Sequence, residues 1–390
     1  MAEQETDVLR APLHLHTFAP LPFYPPVFSY PQHYQQHQGH QQHQEEEEQS
    51  AVVMAEHSDW ALHEEREDLS AEALDQAWQR TLQSLEQRET RDYVFAQQES
   101  LEGDEQLDAH QLFQLALRLF EDGHVYQAQL RFERLARETS VAAEECRAEV
   151  WRRLGLCHAE QDQDDQAISC FRRALEADPY HLDALLQLTV GQVNELQSQL
   201  ALGSLRSWVS HHPRFSHLQL PEDDMYGDGS LLDEVLQLLL LIEQRCPEDA
   251  EVQTVLGVLY NATQHFAPAA AAFKKALRAN DDDYSLLNKL GATLANQNQS
   301  IEALPLYQRA LQRRPRYVRG WANLGISYSN LGMHTEACRA YLTCLHLNPH
   351  AHHLWGYLRL SLGALDRLDL ASNENVSQLA AALGVQLGVE

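Results

Sequence analysis

From Leu112 onward apolar residues return at helical intervals, and the intervals themselves repeat. Gly257, Gly291 and Gly325 stand 34 residues apart, as do Ala269, Ala303 and Ala337. The aromatic residues four places after each alanine, Phe273, Tyr307 and Tyr341, keep the same spacing. Three periods earlier these slots hold Gly155, Ala167 and Phe171. Prolines mark the beat at Pro179, Pro213, Pro247, Pro315 and Pro349, with Asp281 in the one slot that lacks its proline. Each unit reads as two helices, with small residues where they cross and a proline where the pair ends.

The period sets the boundaries. The first pair spans about residues 106–139, marked by Leu112, Leu115, Leu119, Ala128 and Phe132, and sits five residues out of phase with the next, so an extra turn is expected through 140–145. The second and third pairs cover about 147–178 and 179–212. The fourth period opens with Pro221-Glu222-Asp223-Asp224-Met225-Tyr226-Gly227-Asp228-Gly229, which cannot make a good first helix, so only Leu231–Arg245 is expected to be helical there. Pairs five to seven span about 248–280, 281–314 and 315–348, and apolar helices follow around Leu354–Leu362 and Val376–Leu387. The spacing is that of tetratricopeptide repeats. The expected fold is all-α: a tetratricopeptide solenoid of about seven helix pairs with a broken middle repeat and C-terminal capping helices, preceded by a disordered N-terminal region. In units, these are 1–92, an N-terminal triplet at 93–213, a hinge repeat at 214–247, a C-terminal triplet at 248–349 and a cap at 350–390.

Composition separates the two ends of the chain. Residues 1–50 are rich in Pro, His, Gln and Tyr and close on Glu45–Glu48, a mixture that buries too little apolar area to offset chain entropy. His33, His37, His40 and His43 read as low-complexity sequence rather than a metal site. Residues 58–90 carry Trp60, Leu62, Leu69, Leu74, Trp78, Leu82 and Leu85 at near-helical intervals, a segment that docks on a partner or packs back on the repeats. Residues 93–107, opening with Tyr93-Val94-Phe95, read as a linker into the fold.

The formal charge of −28, from 57 acidic against 29 basic residues, argues against a nucleic-acid binder, because phosphate contacts need a basic face. Only three lysines occur, Lys274, Lys275 and Lys289, all within two adjacent repeats. The six cysteines show no metal-ligand rhythm and read as reduced, mostly buried thiols. No apolar run approaches the roughly 20 residues of a membrane helix, so no direct membrane span is expected. No nucleophile elbow, phosphate loop or metal-spaced His/Glu set points to an enzyme, and neither a catalytic residue nor a cofactor is assigned. The histidines at 350, 352 and 353 read as a solvated loop.

The polar residues that ask for explanation are asparagines. In such a stack the first helix of each pair lines the concave face. Asn194, Asn296 and Asn330 share one phase of the period, 102 and 34 residues apart, and so recur at one height on successive inner helices. Asn261, Asn288 and Asn323 lie on the same class of helix, with Lys289 and Arg319 nearby. Capping of helix ends accounts for the shared phase but not for the mid-helix positions of Asn288 and Asn323. An amide both donates and accepts, so a ring of them holds a peptide backbone without demanding a particular side chain. Lys289 and Arg319 add charge that suits a free C-terminal carboxylate.

The run Leu287-Asn288-Lys289-Leu290-Gly291-Ala292-Thr293-Leu294-Ala295-Asn296-Gln297-Asn298-Gln299-Ser300 closely resembles the peroxisomal import receptors that read C-terminal type-1 targeting signals. The stretch from Arg316 through Gly332, with Arg319-Gly320-Trp321-Ala322-Asn323-Leu324-Gly325 at its centre, is similar to that family's last repeat. Leu256–Asn261, Val193-Asn194-Glu195 and Trp355–Leu360 add looser likeness, so that the resemblance covers about 93–390. It implies a receptor that grips cargo ending in a Ser-Lys-Leu-like tripeptide, works in the cytoplasm and cycles to the peroxisomal membrane. By position, Asn288, Asn296, Asn323 and Asn330 would hold the tripeptide backbone and terminus, with Lys289 and Arg319 favouring the carboxylate. Asn194 and Glu195 would close the ring and meet the basic penultimate side chain, and Asn261 would join the lining.

The N-terminal part departs from the family's pattern. Those receptors carry several Trp-x-x-x-aromatic segments for docking proteins at the peroxisomal membrane and a cysteine near the N-terminus for export. Here Trp78-Gln79-Arg80-Thr81-Leu82 is a degenerate version, Trp60-Ala61-Leu62-His63-Glu64 does not fit, and the first cysteine is Cys146. The residues leave two other readings open: a tetratricopeptide regulator that binds the C-terminus of a different partner, and a co-chaperone clamp for acidic chaperone tails. The clamp calls for a denser Lys/Arg lining than this chain supplies.

Overall fold

A computed structural model describes residues 92–96, 104, 106–138, 146–218 and 230–389. The expectations for residues 1–50 and 58–90, including the four N-terminal histidines, and for the Pro221–Gly229 joint fall outside these. The described residues hold fifteen α-helices and one short 3₁₀ helix at Leu368–Leu370. They pair as α1 (Ala109–Glu121) with α2 (Val125–Arg137), α3 (Arg147–Glu160) with α4 (Asp164–Ala177), and α5 (Leu182–Asn194) with α6 (Ser198–His211). Helix α7 (Leu231–Arg245) stands without a described first partner. Then come α8 (Ala250–Ala262) with α9 (Phe266–Ala276), α10 (Tyr284–Asn296) with α11 (Ser300–Arg313), α12 (Val318–Asn330) with α13 (His334–Leu347), and finally α14 (Leu354–Ala364) and α15 (Val376–Leu383).

The small residues are where two helices touch. A Cβ built on Gly155 would lie 2.5 Å from the Phe171 ring, and those on Gly257, Gly291 and Gly325 would lie 2.5, 2.7 and 2.6 Å from Phe273, Tyr307 and Tyr341. Only glycine admits each ring, and the alanines at 167, 269, 303 and 337 are sealed beneath. The helix-ending turns at Asp162, Leu196, Gln264, Asn298, Gly332 and Asp366 pass through a left-handed residue in one phase of the period, whereas the first pair turns through Gly123, five residues out of phase. Asp249 and Asp283, one period apart, cap α8 and α10 by accepting from their first-turn amides.

Two features of the array position the site. The inner helices α5 and α8, on either side of the incomplete fourth pair, pack directly on one another. The stack also closes on itself, because α3 meets α12. Arg314 spans the join: its Nε and Nη2 donate to Glu160 Oε2 at 3.1 and 2.8 Å, and its Nη1 donates to the Glu121 carbonyl at 2.7 Å. Nearby His353 Nε2 lies 3.0 Å from Asp162 Oδ2, and the rings of Tyr126 and His350 stand 5.8 Å apart.

The C-terminal helices cap the seventh pair. Leu354, Leu358, Leu362 and Leu379 are buried with Tyr341 and Leu345, and the strand of chain after α15 is tied down where Thr343 accepts from the Gly388 amide. Among the described residues no helix is long and apolar enough to cross a membrane. None of the cysteines is in a disulfide; four are buried, Cys246 is half-buried and Cys146 is exposed.

Candidate functional site

Where the two triplets face each other they enclose a cavity of about 370 Å³. Its wall is made by the C-terminal half of α3, the acidic turn into α4, and the inner helices α5, α8, α10 and α12. Leu156, Val190, Val193, Val258 and Ala292 form the apolar part. Seven of the nine residues singled out in the sequence line it: Asn194, Glu195, Asn261, Asn288, Lys289, Arg319 and Asn323. Asn296 and Asn330 do not. Each is the last residue of its helix, two turns beyond Asn288 and Asn323 and about 10–12 Å further along the same face.

Hydrogen bonds fix which end of each amide is available. Asn194 Nδ2 donates to both oxygens of Asp164 at 3.1 Å, so its carbonyl oxygen is the atom left over. Asn323 Nδ2 donates to Asn288 Oδ1 at 3.0 Å, which leaves Asn323 with a free acceptor and Asn288 with a free NH2. Asn261 differs: its amide exchanges bonds with the Thr293 hydroxyl at 3.1 and 3.3 Å and braces α8 against α10.

The two cations also differ. Arg319 was expected to offer charge to a ligand, but its guanidinium is already committed across the closure. Its Nε donates to the Ala159 carbonyl at 2.7 Å, and its Nη1 and Nη2 pair with Asp162 at 3.2 Å and Asp164 at 2.8 Å. Burial alone would lower the Arg319 pKa, but Asp164 and Asp162 outweigh it and the group is held firmly protonated. Burial raises the Asp164 carboxyl despite Arg319, whereas at Asp162 the arginine prevails over burial and the pKa falls.

Lys289 makes no direct ion pair of this kind, and Asp283 is the carboxylate that acts on it from further away. Its ammonium donates to the Ser285 hydroxyl at 2.6 Å. Burial, reinforced by Arg319 and opposed by Asp283, lowers its pKa to about 8. A buried ammonium with a neutral partner is a site for an anion.

The sequence reading missed the closing set: Glu160, Asp162, Asp164, Tyr284 and Arg314. The Tyr284 hydroxyl donates to Glu160 Oε1 at 2.6 Å, beside Arg314. The alternating acids Glu160-x-Asp162-x-Asp164 were a visible signal, but their partners lie more than 120 residues away in sequence. Among the described residues no three His, Cys, Asp or Glu side chains are placed to hold a metal ion.

Residues 148–181 and 306–339 match the tetratricopeptide repeat family. A peroxisomal targeting signal receptor from Candida albicans is 34% identical over 244 residues, which is 60% of this chain and 40% of that protein. The peroxisomal targeting signal 1 receptor of Dictyostelium discoideum is 34% identical over 307 residues, 77% of this chain and 46% of its own length. Over up to 77% of its length the chain is similar to peroxisomal targeting signal receptors. A further relative, peroxisome biogenesis protein 5 of Arabidopsis thaliana, is 41% identical over 140 residues, 36% of this chain and 19% of that one. The chain spans less than half the length of these curated relatives.

Proposed function

We propose that this chain is a binding protein, not a catalyst, which takes the C-terminal Ser-Lys-Leu-like tripeptide of cargo into the cavity between its triplets for delivery to the peroxisome matrix. The observation that carries this reading is the pairing of an ammonium without a direct ion pair, Lys289, with the free NH2 of its neighbour Asn288. Together they suit a terminal carboxylate. The acceptors left on Asn194 and Asn323 suit peptide N–H groups, and Glu195 suits a basic penultimate side chain. The apolar lining takes a leucine side chain, worth about 1.5–3 kcal/mol when fully buried. With that burial, two or three charge-assisted hydrogen bonds of about 1.5–3 kcal/mol each give about 4.5–12 kcal/mol before ordering costs, a range that includes the roughly 8 kcal/mol of a micromolar complex.

In this reading Asn296 and Asn330 lie further along the groove and meet residues upstream of the tripeptide. The Pro221–Gly229 joint, outside the described residues, is where we place the movement that admits the peptide. Residues 58–90 are the candidate contact with docking proteins at the peroxisomal membrane, to which the receptor would cycle from the cytoplasm. The deciding experiment is anisotropy of a fluorescent peptide ending in Ser-Lys-Leu on the full chain, with an amidated copy and Asn323→Ala as controls. Micromolar or tighter binding lost in both controls supports the reading. Binding indifferent to the amide overturns it.

A further inference from the structure

Asn194, the last residue of α5, can serve as an acceptor only if its amide is prevented from turning over. Here one side chain stops it. Asp164 is the first residue of α4, and its carboxylate takes the Asn194 NH2 on both oxygens while holding Arg319 Nη2 at 2.8 Å. An ionised carboxylate has no hydrogen to give, so Asn194 must face it with nitrogen and face the cavity with oxygen. Gly191, one turn before Asn194, lets α5 lie close against α4, since an added Cβ would stand 3.0 Å from Ile168.

We infer that Asp164 is a positioning residue for peptide recognition: it sets the polarity of the Asn194 amide so that the ring presents an acceptor to a backbone N–H of the ligand. The same carboxylate receives Arg319 from the opposite triplet. The contact that closes the array is therefore also the one that orients a recognising group. This inference rests on the receptor reading above and names a residue that touches no peptide itself.

The test reads backbone N–H groups directly. Peptides ending in Ser-Lys-Leu are made with each of the last three amide linkages replaced in turn by an ester, which removes one donor and little else. On the full chain, one ester is expected to weaken binding about three- to tenfold because Asn194 loses its donor, and a different ester to do so through Asn323. Asp164→Asn, which offers both a donor and an acceptor, frees the Asn194 amide to turn and is expected to abolish the first penalty while leaving the second. Asn194→Ala should do the same. The exchange Asp164→Asn with Asn194→Asp restores a group at 194 that can only accept, and should restore the penalty.

An Asp164→Asn protein that keeps both penalties in full overturns the inference while leaving the receptor reading intact. Should Asp164→Asn fail to fold, the exchange variant and Asn194→Ala decide. A penalty absent from the exchange, or retained in Asn194→Ala, overturns the inference. Failure of the all-amide peptide to bind the unmodified chain removes the receptor reading and this inference together, a result distinct from either of those.

Discussion

Lys289 gives the cavity a pH dependence that can be worked out in advance. With a pKa of about 8 in the unliganded cavity, its ammonium is about nine-tenths protonated at pH 7 and about one-tenth at pH 9. A bound carboxylate stabilises only the protonated form, so the bound complex titrates higher than the free protein. Between the two pKa values the complex holds more protons than its parts, and affinity falls as pH rises. From pH 7 to pH 9 the expected loss is about tenfold, or about 1.4 kcal/mol, with most of it above pH 8. Below pH 7 the Lys289 contribution is flat. The assay is the anisotropy titration repeated at half-unit intervals, with ionic strength fixed so that screening does not vary. Lys289→Arg stays charged throughout and should bind with a flat profile from pH 7 to pH 9, and Lys289→Met should bind weakly with a flat profile. The reasoning is refuted if the unmodified chain binds equally well at pH 7 and pH 9 while Lys289→Met binds markedly worse at both.

Two stability outcomes follow from the packing. Arg314→Ala leaves Glu160 buried opposite nothing but a tyrosine hydroxyl, and should cost about 3 kcal/mol in urea unfolding, whereas replacing both partners by apolar residues should cost far less; a loss under about 1 kcal/mol in the single variant would mean that the triplets do not meet in solution. Gly291→Ala drives a Cβ to 2.7 Å from the Tyr307 ring and should cost about 1–3 kcal/mol, while Gly203→Ala, with nothing within 4 Å on α6, should be neutral or gain about 0.5–1 kcal/mol from helix propensity. Equal effects at the two glycines in thermal melts would show that the ring contact is not what fixes position 291.

What could be read from the sequence was whatever neighbouring units share. Gly291 against Tyr307, the sealed alanines and the bounds of α3 to α13 repeat because each pair packs on the next in the same way, and repetition is visible in a string of letters. Asn288 and Asn323 were found because a polar residue in mid-helix breaks that pattern. The left-handed turn position, although periodic, gave no signal, since of Asp162, Leu196, Gln264, Asn298, Gly332 and Asp366 only one is glycine. The ion pairs of Arg319 were invisible for a different reason. Its partners Asp162 and Asp164 lie more than 150 residues upstream, and a contact made once, by closure, leaves no periodic trace.

Closure also fixes a count. An open solenoid gains or loses a unit at little cost, because every repeat touches only its neighbours. In this chain Glu160 must meet Arg314 and Asp164 must meet Arg319, so inserting or deleting one 34-residue unit between them would carry the partners past each other by a whole step of the coil. The array is a closed gauge rather than an extensible ruler, and variation among such chains is expected in the termini and loops, with the copy number of the stack held constant.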